Sequence, residues 1–224
     1  SSKPEAISVP SGLKASLRDY QKEGLFWLNL LSTNKMGGCL ADDMGLGKTL
    51  QTLAFLQQQK ETRPELYDTD TSGPVKLGRT TLIVVPTSLV HNWLREIQRF
   101  TPNMYVHVFT GTQRTRSIAK LLQYDIVITT YGVVRNDIDM LKDARFNYVI
   151  LDESQTIKNP TSKIYRSVLL LKANGYLTLS GTPIENSLMD LWAQLNFLNR
   201  GMLGSQRSFR DEFIIPIEKD RKSV

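Results

Sequence analysis

Short apolar runs alternate with amphipathic stretches along almost the whole chain. Residues 37–41, 80–86, 104–111, 125–131, 148–154 and 176–183 read as strands. Residues 48–60, 88–100, 114–122, 163–171 and 187–198 read as helices, the second with Ser88 as its N-cap, and residues 17–31 form a helix ahead of the first strand. Strands that are apolar throughout and separated by helices call for an α/β fold: a mainly parallel sheet with helices on both faces. Ligands of such sheets lie outside the carboxyl ends of the strands, so chemistry-bearing residues should follow the apolar runs. Residues 61–79, rich in Thr, Asp, Gly and Pro, read as a long, mobile surface loop.

The chemistry does follow them. After the first strand comes "ADDMGLGKT", residues 41–49. Gly45 and Gly47 let the backbone curl so that several N–H groups point inward, and the next helix adds its positive N-terminus. Lys48 can reach terminal phosphate oxygens, and the Thr49 hydroxyl can ligate Mg²⁺. Asp42 stands where G-x-x-x-x-G-K-[ST] would have its first glycine. A magnesium-bound triphosphate also needs a carboxylate at a neighbouring strand end and a base for water. "VILDES" supplies Asp152 for the metal and Glu153 for the water. The bland alternatives are a glycine-rich helix start and an acid pair opening a helix. The two motifs in one chain favour the nucleotide reading.

Composition narrows the class. Hydrophobic residues make up 41 % of the 224, enough for a core, and no apolar run approaches the length of a membrane span. The single cysteine, Cys39, excludes internal disulfides and a cysteine-built metal cluster, which fits a reducing compartment. A net charge of +6 is compatible with a nucleic-acid partner and with many other soluble proteins. The chain begins without Met and stops just after a helical pattern, as an excised part of a longer protein would.

Taken together, "LADDMGLGKT", "LIVVPTSLVHNW", "ITTY", "VILDESQTIKN" and "LTLSGTPIENSLMDLWAQLNFL" resemble the ordered motifs of Swi/Snf-type ATPases of helicase superfamily two. "LRDYQKEGLFWL" resembles that family's adenine-recognition segment. The resemblance spans roughly residues 17–215. It implies a RecA-like P-loop NTPase lobe over residues 1–205, with 206–224 starting the passage toward a second lobe that would carry the arginine fingers. It implies ATP and Mg²⁺ as cofactors, and nucleotide contacts from Gln21, Asp43, Met44, Gly45, Leu46, Gly47, Lys48, Thr49 and Leu50. Lys48, Asp152 and Glu153 would be catalytic, with Thr49 and Asp152 on the metal. Ser180, Gly181 and Thr182 would couple nucleotide state to DNA grip. Gln155 stands where many members carry His; it can still hydrogen-bond the acids to "SGT" but cannot become cationic.

DNA contacts are expected at strand ends on the same edge: Thr87 and Ser88, Gly111 and Thr112, then Thr129, Thr130 and Tyr131. Hydroxyls and backbone N–H groups there bind phosphates without reading sequence. Arginines and lysines of residues 112–120 would add salt-sensitive affinity. Helix capping explains the same Ser and Thr residues equally well. Trp93 and Trp192, on helical faces among leucines, read as core. The expectation is the first lobe of a DNA-dependent ATPase that translocates on double-stranded DNA, intracellular and DNA-associated. Rival readings are a strand-separating helicase, although "DESQ" and "SGT" differ from the "DEAD" and "SAT" of RNA helicases, and a DNA- or partner-binding scaffold with an idle ATPase.

Overall fold

The computed structural model describes residues 8–41, 47–67, 78–181 and 188–211. Six strands form one sheet in the order β1-β6-β5-β2-β4-β3, and every pairing is parallel. They are β1 (Gly38–Ala41), β2 (Thr81–Val85), β3 (Val106–Phe109), β4 (Ile126–Thr130), β5 (Arg145–Asp152) and β6 (Lys172–Ser180). All of β2 and β4 is buried, as strands covered on both faces must be.

Alternate strand residues feed two separate cores. Leu82, Val84, Val149 and Leu151 face one layer. That layer is built by α6 (Tyr131–Leu141), α7 (Lys163–Leu170) and α8 (Leu188–Leu198), with α5 (Ile118–Leu121) and α9 (Gln206–Phe209) at its margins. Ile83, Val85, Tyr148 and Ile150 face the other layer, built by α1 (Asp19–Thr33), α2 (Lys48–Thr62) and α4 (Val90–Phe100). Each fully buried Leu, Ile or Phe contributes roughly 1.5–3 kcal/mol relative to exposure. The two layers clamp β5 and β2 at the centre of the sheet.

Several boundaries differ from the sequence reading, each for a local reason. Ser88 is not an N-cap: it lies inside a 3-10 turn, Thr87–Leu89, that runs straight into α4, whose cap position is Leu89. The helix expected over 114–122 shrinks to α5, capped by Ser117, because Arg114 is drawn away to Asp137. The loop expected over 61–79 is helical at its start, and residues 68–77 of it lie outside the described residues. Helix α2 continues to Thr62, and a short α3 (Pro64–Tyr67) follows, with Tyr67 buried and accepting from Asn147 Nδ2 at 3.2 Å. Helix α6 had no counterpart in the sequence reading. Thr130 caps it by accepting from Val133 N–H, and non-helical backbone at Asp137 breaks its period. Phe209 packs into the first core, so the packed lobe reaches that residue.

A carboxylate hub holds the amino-terminal side of the sheet. The buried side chain of Asp125 accepts from Lys60, Arg79 and the Tyr105 N–H at 2.8–2.9 Å. It ties α2, the entry to β2 and the entry to β3 to one point.

Candidate nucleotide-binding site

The carboxyl ends of β1, β6 and β5 lie level along one edge. Ala41 is in register with Ser180, and Leu179 with Asp152. The sequence reading made the lysine turn and the acids tips of adjoining strands. They are not adjoining: β6 stands between β1 and β5, which puts Ser180 in the middle of the site.

Lys48 opens α2 and is buried to 7 % exposure. Its charge is felt on both sides of β6, favouring the ionised forms of Asp152 on β5 and Cys39 on β1. Burial pushes the Cys39 thiol up nonetheless. Thr49 and Leu50 are half-buried beside it. Gly47 is required by a close approach. A Cβ there would fall 3.0 Å from Gln21 Nε2, 3.2 Å from Tyr20 Oη and 3.3 Å from Gln51 Nε2. The start of α1 therefore abuts the start of α2. Gln21 is buried, and its carboxamide oxygen accepts from Arg18 N–H at 2.9 Å, capping α1. Asp43, Met44, Gly45 and Leu46 lie outside the described residues, as does Thr182.

Asp152 is held on every side. Trp93 Nε1 donates to its Oδ2 at 2.7 Å, and Glu153 N–H donates to Oδ1 at 2.9 Å. Tyr131 Oη donates to its backbone carbonyl at 2.6 Å. Burial raises the Asp152 pKa, and the neighbouring Glu153 charge adds to that; the Trp93 bond, the Glu153 N–H and Lys48 oppose it. Each carboxylate oxygen has a second lone pair, so two protein donors leave acceptor capacity. Trp93, expected as core alone, is core on its ring and a donor to Asp152 at its nitrogen. No spacing in the sequence points to that contact.

Glu153 sits at φ 50°, ψ 54°, a left-handed conformation that a side chain adopts at a cost. The backbone turns sharply there, away from the strand line. Gln155 Nε2 donates to Glu153 Oε2, and Gln155 Oε1 accepts from Ser180 Oγ at 3.0 Å. The expected bridge between the acids and "SGT" is thus present as a hydrogen-bonded chain, Ser180–Gln155–Glu153. Behind it, Ser154 Oγ donates to Gln194 Oε1 of α8 at 2.9 Å, fixing the 3-10 turn Ser154–Ile157 to the helix layer. Among the described residues, no three His, Cys, Asp or Glu side chains converge on a metal position. A cation here would complete its shell from a hydroxyl, ligand oxygens and water.

The expected DNA edge divides in two. Thr87, Ser88, Gly111 and Thr112 are exposed, and Gly111 takes a positive φ of 78° with open space around it. By contrast, Thr129 is fully buried and its hydroxyl donates to Phe109 O at 2.8 Å. Thr130 caps α6, and the Tyr131 hydroxyl is committed to Asp152. These three side chains serve the fold. Of the basic residues nearby, Arg114 is spent on the buried Asp137, whereas the Arg116 side chain stays 74 % exposed. Trp192 is core, as expected, and its Nε1 has no hydrogen-bond partner among the described residues. No helix among the described residues is long and apolar enough to cross a membrane.

With this geometry in hand, comparison with known proteins gives a consistent answer. The SNF2-related domain matches residues 20–224. A TATA-binding protein-associated factor of Schizosaccharomyces pombe is 39 % identical over 98 % of this chain and 11 % of its own length. A putative ATP-dependent helicase/translocase of Bacillus subtilis is 41 % identical over 97 % of this chain and 23 % of its own length. The chain therefore spans less than a quarter of these curated relatives. The solved structure of the Sulfolobus solfataricus SWI2/SNF2 ATPase core in complex with dsDNA matches with a TM-score of 0.83 at 40 % identity, over 96 % of this chain and 42 % of that one. The parallel sheet, its order and these matches lead to one conclusion: the chain belongs to the SNF2-related domain family, as an N-terminal RecA-like lobe of the Swi/Snf type of helicase superfamily two.

Proposed function

We propose that this chain is the nucleotide-binding lobe of an ATP hydrolase that moves along double-stranded DNA. The observation that carries the reading is the level edge formed by the tips of β1, β6 and β5, with the charge of buried Lys48 felt at Asp152 and Gln155 linking Ser180 to Glu153. The residues suit a magnesium triphosphate. Lys48 supplies a buried cation at a helix start, Gly47 keeps the turn free of a side chain, and Asp152 retains unused lone pairs. When bound, that group supplies the phosphoryl centre and its neutralising metal. Lys48 would hold the terminal phosphate oxygens, Thr49 and Asp152 would hold the metal, and Glu153 would orient and accept a proton from water. Gln21 reads the adenine edge by giving up its cap on α1, or through Nε2 alone.

Duplex DNA lies along Thr87, Ser88, Gly111 and Thr112, gripped by hydroxyls and N–H groups without sequence preference. The B. subtilis relative is named for translocation and the S. solfataricus structure holds dsDNA, which support this partner. A second RecA-like lobe closes over the nucleotide and supplies the missing arginine; the short share of each relative that this chain covers leaves room for it. A strand-displacement assay on a tailed duplex separates translocation from helicase activity. The deciding experiment is DNA-stimulated ATP turnover by the intact protein with Lys48→Ala. Loss by about a hundredfold or more is expected for a charge acting on the transition state. Unchanged turnover would refute the assignment of the phosphate turn.

A further inference from the structure

Asp152 receives hydrogen bonds from two aromatic side chains that belong to opposite faces of the sheet. Trp93, on α4, lies in the core of the α1/α2/α4 layer. Tyr131, the first residue of α6, lies in the core of the other layer. Trp93 bonds the carboxylate oxygen, and Tyr131 bonds the backbone carbonyl of the same residue. Between them they fix both the rotamer of Asp152 and the plane of the peptide that leads into the strained Glu153.

Each aromatic is rigidly tied to a strand tip on the exposed edge. Trp93 follows Ser88 through an unbroken run: the 3-10 turn Thr87–Leu89 continues into α4, with Val90 N–H donating to Thr87 O. Tyr131 directly follows the β4 tip, where Thr130 caps the helix that Tyr131 begins. β2 sits between β4 and β5, so its tip adjoins the acid, and the β4 tip lies one strand further on. A phosphate seated on Thr87 and Ser88 has no long path to reach Asp152. It needs only to tilt the start of α4, and the buried indole moves with it, because a packed core transmits displacement rather than absorbing it.

We propose that Trp93 and Tyr131 are positioning residues through which a DNA backbone engaged at Thr87 and Ser88, the tip of β2, sets the orientation of the Asp152 carboxylate. The inference rests on the nucleotide and DNA readings above and gives them a regulatory link. DNA is then not a passive track. Its presence converts a bound but poorly aligned site into an aligned one, which appears as kcat rather than as affinity. Displacement of a catalytic group by an ångström can cost about a hundredfold in rate, so even a small tilt suffices for strong stimulation.

The test uses the intact protein labelled with 5-fluorotryptophan, the Trp93 line being identified by its loss in Trp93→Phe. Saturating duplex DNA without nucleotide is expected to move the Trp93 ¹⁹F line, and Ser88→Glu to suppress that movement. In turnover, Trp93→Phe deletes the indole donor and replaces the bicycle with a smaller phenyl ring, whereas Tyr131→Phe deletes the hydroxyl and keeps the ring. Each is expected to lower the DNA-stimulated kcat about tenfold while leaving the KM for ATP within about threefold, the signature of a lost transition-state alignment. Should Trp93→Phe fail to fold, Tyr131→Phe decides by the same criteria. A Trp93 line unmoved by bound duplex, or unchanged kcat in folded variants, overturns the relay while leaving the nucleotide site intact. Failure of the nucleotide site itself is read separately, from Lys48→Ala, and absence of any duplex binding removes the DNA reading and the relay together.

Discussion

Ser180 Oγ donates to Gln155 Oε1 at 3.0 Å, and the other end of the same carboxamide donates to Glu153. One neutral side chain thus joins the tip of β6 to the acid that follows β5. A His at position 155 would make the bridge titratable near its ordinary pKa of about 6.5. Gln155→His is therefore expected to add a step between about pH 6 and 7 to the turnover profile. Ser180→Ala should lower DNA stimulation while nucleotide binding persists. pH–rate profiles of the intact protein and its two variants check both; an unaltered profile in Gln155→His removes the bridge from the mechanism.

Glu153 combines a functional carboxylate with left-handed backbone. Such a conformation costs a non-glycine residue of order 1 kcal/mol, and glycine escapes that cost. Glu153→Gln should bind nucleotide and lose turnover. Glu153→Gly should lose turnover too, yet unfold at no lower temperature than the parent, because relief of strain offsets the lost bond from Gln155. A melting point well below that of Glu153→Gln would mean that the backbone strain is not stored there.

Much of this site is legible in the chain because its chemistry follows apolar runs directly: Lys48 after β1, Asp152 and Glu153 at the end of β5, Ser180 at the end of β6. Local order carries that information. The order of strands across the sheet is not local, so the intrusion of β6 between the lysine and the acids was invisible, as was the bond from Trp93 to Asp152 across 59 residues. Helix α6 was hidden for a different reason. Its apolar positions Val134, Ile138 and Leu141 keep helical spacing, but the buried Asp137 sits on the same face, where a sequence reading does not expect a carboxylate. Thr129 and Tyr131 show the limit of residue type as a guide. A hydroxyl at a strand tip serves DNA or the fold, and only burial separates the two.

Asp125 is the group on which stability should depend most steeply. Its buried carboxylate satisfies Lys60 and Arg79, which are themselves largely covered. Removing one partner of such a cluster leaves uncompensated charge, at about 3–5 kcal/mol. Asp125→Ala is expected to lower the urea midpoint accordingly, measured by circular dichroism, with no change in the urea dependence per unit concentration. Asp125 lies at the amino-terminal side of the sheet, so surviving folded protein should retain nucleotide binding.

His107 gives a pH dependence of known sign. Partial burial lowers its pKa in the folded chain below the ordinary value near 6.5. Above that value both states are neutral at this residue. As pH falls through it, the unfolded chain takes up a proton first, so stability is lost on acidification until the folded pKa is passed. His107→Phe keeps an aromatic ring against Tyr124, with which His107 now stacks at 4.7 Å. The variant should lose less stability than the parent between about pH 7 and 5.5, as judged by thermal melting. Equal losses would mean that His107 is not the group responsible.

Arg114 and Arg116 are two residues apart and should fail in different ways. Arg114 is 11 % exposed and donates through Nε and Nη2 to the nearly buried Asp137, which holds the guanidinium charge more firmly than usual. Arg116 reaches the same carboxylate at 3.3 Å from a side chain that is 74 % exposed. Deleting Arg114 leaves Asp137 with one solvent-screened partner inside the kinked part of α6, so Arg114→Ala should destabilise the fold. Deleting Arg116 removes an exposed cation four residues after Thr112 at small structural cost, since exposed ion pairs contribute about 0–1 kcal/mol. If DNA runs along that edge, Arg116→Ala should weaken duplex binding for all sequences alike and reduce the slope of log affinity against log salt by about one. Binding titrations over a range of salt concentrations, paired with melting curves for both variants, separate the two roles. A melting loss in Arg116→Ala with an unchanged salt slope would take this edge away from the DNA.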